Sequence, residues 1–140
     1  MSGMDGMRKR SRGWTSLMAA WMIVSLFSSK PTLSVEFVDR YRDDKGIEKA
    51  SIGGRVHGIE DFGAYKVLIY TTLDNHTWVR APGQYAPVGV GGTWERSGIR
   101  PGKKSRILLV KRGVKVPDKE ALTEKELEAI PQEAELTHPW

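Results

Sequence analysis

Tyr65 to Leu73, YKVLIYTTL, constrains this chain more than any other stretch. It is rich in β-branched and aromatic residues. Because strand side chains alternate, Tyr65, Val67, Ile69 and Thr71 share one face and Leu68 and Tyr70 the other. Apolar groups on both faces predict a central strand covered on both sides. A buried helix of this length is the competing reading, but the β-branching and the turn residues that follow favour a strand. Asp74, Asn75 and His76 supply that turn, since Asp and Asn tolerate left-handed backbone and bond their own chain. Thr77 to Arg80 reads as the return strand, stopped by Pro82 and Gly83. A second turn at Gly91 and Gly92 leads to Trp94, so the segment reads as a β-meander.

The rest of the chain is consistent with a sheet protein. Leu33, Val35 and Phe37 alternate with Ser34 and Glu36, a strand with one wet face. Arg42 to Gly46 is a polar turn without calcium-loop spacing. Within SIGGRVHG, residues 51–58, the glycines mark a bulge or a close backbone approach; no nucleotide-binding glycine spacing is present. Arg106 to Arg112, RILLVKR, is another strand, and cations at its ends can guard it against edge pairing. Thr123 and Glu126 fit a capping box for a short helix, Thr123 to Ala129, whose Leu127 would pack on the sheet with Leu122 and Ile130. Pro131 stops it, and residues 131–140 read as a loose tail. The expected order is an N-terminal segment, five to seven strands, one helix and a tail.

Residues 1–30 look like an export signal or membrane anchor. Arg8, Lys9, Arg10 and Arg12 precede the apolar run Leu17–Phe27. That run is shorter than the roughly 20 residues a helix needs to span a bilayer. A buried or amphipathic helix of the domain is the alternative. Met7 opens a more typical signal than Met1. The positive-inside rule would leave the basic arm inside and Lys30 outside. The chain is therefore expected to be exported: periplasmic, extracellular or anchored outside the cytoplasmic membrane.

Charge has to be counted without that segment. The whole chain carries +5, but residues 31–140 hold 17 basic and 16 acidic groups, a balance of +1. Overall charge therefore gives no case for nucleic acid, and no nucleic-acid partner is expected. The balance is uneven: residues 31–117 carry 15 basic and 9 acidic groups, residues 118–140 carry 2 and 7. A basic patch of Arg100, Lys103, Lys104, Arg106, Lys111 and Arg112 could meet an anionic surface, or could face the acidic tail.

No chemistry-bearing constellation stands out. With no cysteine there is no disulfide, thiolate metal site or cysteine nucleophile. His57, His76 and His138 lack metal-ligand spacing, and no serine elbow is present. The reading is non-enzymatic, with no cofactor and no metal. The binding candidates are aromatic: Trp78, Tyr85 and Trp94. Exposed rings could stack on sugars, whereas a Trp on a sandwich strand commonly fills the space between sheets. Tyr85, in a loop bounded by Pro and Gly, is the better exposed candidate.

Gly54, Val56 and Gly58, then Tyr65, Val67 and Tyr70, then Trp78 with Pro82, Gly92 with Trp94, and Ile107 to Val110 form a pattern over residues 51–112. It resembles a small immunoglobulin-like β-sandwich accessory domain of bacterial exported carbohydrate-active and cell-surface proteins. The resemblance implies a non-catalytic role beside a polysaccharide or an envelope protein. The expected fold is therefore an all-β, small antiparallel immunoglobulin-like sandwich with a short C-terminal helix and an N-terminal export or anchor helix. Residues 1–30 would be signal or anchor, 31–117 the sandwich, and 118–140 a short acidic helix and tail. The expected function is an exported accessory or binding module touching polysaccharide or another anionic surface. The alternative is a membrane-tethered structural or protein-interaction domain.

Overall fold

The computed structural model describes residues 30–140. The expected N-terminal export or anchor helix lies outside them. The described chain is an all-β, sandwich-like fold of two antiparallel sheets with one short helix. Its elements are β1 (Thr32–Arg42), β2 (Glu48–His57), β3 (Tyr65–Thr72), β4 (Thr77–Arg80), β5 (Ala86–Pro87), β6 (Thr93–Ile99), β7 (Lys104–Lys111), β8 (Ala121–Thr123), α1 (Glu124–Glu128) and β9 (Ala134–Pro139).

One sheet runs β9-β7-β3-β4-β8, with β5 also on β3, and the other runs β1-β2-β6. β3 is central, as its two-faced apolar pattern requires. Val67 and Ile69 join Ile52, Trp94, Ile99 and Ile107 in the core between the sheets. Leu68 and Tyr70 join Trp78, Leu108, Leu122 and Leu127 in a second core on the outer face, which α1 helps to cover. Each fully buried aliphatic side chain contributes about 1.5–3 kcal/mol, so two such layers hold a chain of this size without disulfides. The capping box forms as expected: Thr123 Oγ1 accepts from the Glu126 amide and Glu126 Oε1 from the Thr123 amide.

Three expectations are corrected. The meander does not continue past β4. β5 returns to the edge of β3 that β4 already occupies, pairing Val67 with Ala86, and β6 then crosses to the other sheet and pairs with β2. β7 is no edge strand, because β3 and β9 pair with its two sides; its end cations guard no edge. Residues 131–140 are no loose tail either. β9 pairs with β7 in unbroken register from Ala134↔Leu109 to Pro139↔Lys104.

The glycines of β2 act as anticipated. The β1–β2 register shifts between Val35 and Phe37. There the β1 backbone comes so close that a Cβ on Gly54 would overlap the Ser34 carbonyl, while the Phe37 ring lies against Gly53.

Candidate functional site

The structure separates the three aromatic candidates. Trp78 is fully buried, its Nε1 donating to Glu124 Oε1 at 2.7 Å. Trp94 is 2% exposed, in the core between the sheets. Neither indole presents a face to a ligand, since both fill apolar space. Tyr85 is half-buried and lies at a loop between strands, with Lys66 Nζ 5.3 Å from its ring centroid.

The six cations of the expected patch do not share one surface. Arg106 is turned into an ion-pair network, with Nη2 3.0 Å from Glu124 Oε2 and Nε 3.0 Å from Glu135 Oε2. Lys104 and Lys111 stand at opposite ends of β7. Arg112 donates to the Gly63 carbonyl, Lys103 is exposed before β7, and Arg100 lines a cleft.

That cleft adjoins the loop Ala81–Tyr85, whose shape is set locally. Arg80 ends β4 by donating its amide to Glu120 O, and the Ala81 amide reaches Ile69 O. Pro82 cannot continue the ladder. Gly83 and Gln84 then take positive φ, +85° and +70°, and the Tyr85 amide donates back to Gly83 O at 2.8 Å, closing a tight three-residue turn. Left-handed backbone at a residue other than Gly or Asn is sterically unfavourable, so something must hold Gln84 there. Arg96 of β6 does so, with Nη2 donating to the Tyr85 carbonyl. A Cβ on Gly83 would stand 2.8 Å from Arg96 Nη1.

Three clefts adjoin the loop: one is lined by Pro82, Gly83, Glu95, Arg96 and Ser97, and the other two share Arg80 and Gln84. Of those two, one, of about 420 Å³, takes Lys49 from β2, Thr71 from β3, Arg80 from β4, Gln84 from the loop, and Arg100 and Glu120 from connections. The other, of about 350 Å³, includes Lys66, Arg80, Gln84, Tyr85, Lys115 and Asp118. Lys49 lies 3.5 Å from Asp43. Among the described residues, neither Arg80 nor Arg100 makes an ion pair with a carboxylate. Burial pushes the Tyr70 phenol above its ordinary range, and the Arg80 guanidinium partly opposes that shift. Chemically, the loop offers one aromatic face beside forked donors and an amide side chain, a set suited to binding. Among the described residues, no three acidic or imidazole side chains converge as a metal site.

Lys49, Lys66, Arg80 and Gln84 come from three strands and a loop, so no run in the sequence announces them. The Pro82–Gly83 stop after β4 and the loop position of Tyr85 were the local pointers to this place.

Compared with known protein families, curated proteins and solved structures, the chain matches none.

Proposed function

We propose that this chain is a non-catalytic binding module that engages cell-envelope polysaccharide through the Ala81–Tyr85 loop. In this reading the segment over residues 1–30 carries the domain out of the cytoplasm or tethers it there, and the resemblance to exported accessory sandwiches points the same way. One observation carries it: a half-buried Tyr85 on a loop pinned by Arg96, with two adjoining clefts that share Arg80 and Gln84. A pre-shaped loop loses little conformational freedom on binding, and a ring with polar neighbours fits the apolar face and hydroxyl rim of a sugar. The test is retention of the purified chain on soluble and insoluble polysaccharides at low and physiological salt. Retention that survives salt and falls at least about tenfold in Tyr85→Ala supports the aromatic site. No retention at either salt overturns it.

A second reading rests on β1. Among the described residues this strand of 11 residues is an edge of its sheet, and it carries Phe37, Val38 and Tyr41, each 38–43% exposed. An open edge with apolar side chains suits strand addition by a protein partner. It would make the module a protein-interaction domain, whose binding tolerates Tyr85→Ala and fails when Val38 is replaced by Pro.

A further inference from the structure

Resting on the polysaccharide reading, we propose that the ligand is an acidic sugar chain, whose carboxylate sits between Arg80 and Arg100 in the cleft that both line. The charge of the cleft selects the group. Its cations are Lys49, Arg80 and Arg100, and Glu120 is its one carboxylate. Lys49 is already beside Asp43 at 3.5 Å. The two guanidiniums against Glu120 leave a surplus of one positive charge, which one carboxylate neutralises.

The residue type agrees with that group. A guanidinium offers paired N–H donors in a planar fork that matches the two oxygens of a carboxylate, and it stays charged at any accessible pH. The cleft is partly walled by apolar side chains, Leu73, Val79 and Ile99 among them. Because Arg80 also lines the cleft of Tyr85, an acid group held by Arg80 belongs to a sugar next to the one stacked on the ring. The loop thus reads two features of one chain, a ring face and an acid.

The test compares three probes by calorimetry at physiological salt: oligogalacturonate, the same oligomer with its carboxyl groups reduced to alcohols, and polyglutamate. The expected result is binding of oligogalacturonate about tenfold or more above the reduced oligomer, with polyglutamate weaker than both. Arg80→Gln and Arg100→Gln should each erase the preference for the acidic oligomer. Tyr85→Ala should weaken both sugars. Arg80→Lys keeps the charge without the fork, and should lose most of the preference; it stands in if the Gln variant fails to fold. Equal binding of the two sugars overturns the acid site and leaves the polysaccharide reading in place. Polyglutamate binding as tightly as oligogalacturonate, with both weakened by Arg80→Gln, overturns recognition of a sugar acid in favour of charge alone. Binding of none of the three overturns the acid site, and the polysaccharide panel then decides the reading beneath it.

Discussion

The Arg106 guanidinium lies 4.7 Å from the centroid of the Trp78 ring, and the two side chains donate to the two oxygens of one carboxylate, Glu124. Trp78 belongs to β4, Arg106 to β7 and Glu124 to the first turn of α1, so this contact joins the helix to the sheet it covers. The Arg106 side chain is only 14% exposed and also reaches Glu135 of β9. Arg106→Ala should therefore cost about 2 kcal/mol: it loses a cation–π contact, a charge-assisted hydrogen bond to Glu124 and an ion pair with Glu135, while water can still reach the half-exposed carboxylates. Arg106→Lys should recover less than half. Urea unfolding reads both, and a loss below about 0.5 kcal/mol in the Ala variant would remove the network from any account of stability.

Asp74 gives an acid-sensitive turn. Its Oδ1 accepts from the amides of His76 and Thr77, both at 2.8 Å. The Thr77 bond foremost, then that of His76, lower its pKa to about 2 from the ordinary 3.8. A depressed carboxylate contributes stability that is complete above its unfolded value and lost as pH falls through the folded one. Asp74→Asn keeps an acceptor oxygen but not the charge. It should melt a few degrees below the wild type at pH 6, with the gap closing as pH falls from 3.8 to about 2. A gap that is constant with pH would contradict this assignment.

Two glycines should respond in opposite ways to the same change. Gly54→Ala puts a methyl group onto the Ser34 carbonyl, with backbone on both sides and no flexible side chain to give way. The β1–β2 pairing must shift, at a cost of about 3 kcal/mol or more. Gly113 has nothing within 4 Å of an added Cβ and no positive φ. Gly113→Ala should be neutral or stabilise by up to about 1 kcal/mol, because it restricts only the unfolded chain. Thermal melts of the two variants check both signs.

The features legible in the sequence are those encoded within a few residues. The two-faced apolar pattern of Tyr65–Thr72 identified the central strand, the Thr123–Glu126 pair identified the helix start, and Gly54 marked a close approach. Two of the misreadings depend on a partner far along the chain. Nothing in Thr93–Ile99 says that it pairs with β2 and not with β4. In β9, Ala134, Leu136, His138 and Trp140 do alternate with Glu135, Thr137 and Pro139, and the former set is the half-buried one. Weak apolarity, an acidic neighbourhood and a proline hid that period of two. The site was least legible, because its cations meet only after folding; of the long basic run from Arg100 to Arg112, Arg100 lines the cleft while Arg106 forms internal ion pairs.

Trp140 tests the corrected view of the final strand. Its amide donates to Lys103 O at 3.1 Å, its Nε1 donates to Ser105 Oγ at 2.6 Å, and Arg40 lies 5.6 Å from its ring centroid. Ser105 is fully buried and also shares a 2.6 Å hydrogen bond with Thr71 Oγ1. A hydroxyl can accept from the indole and donate to Thr71 at once, so all three groups are satisfied away from water. Trp140→Phe keeps most of the packing but withdraws the donor, and should cost about 1 kcal/mol; Trp140→Ala should cost about 2–3. Ser105→Ala should cost about 1–2 kcal/mol, because it strands the indole N–H and the Thr71 hydroxyl. In the double variant Trp140→Phe with Ser105→Ala the indole no longer needs an acceptor, so the combined loss should fall short of the sum by about 1 kcal/mol. Strict additivity, together with fast amide exchange at Leu136 and His138, would return these residues to the loose tail that their composition suggests.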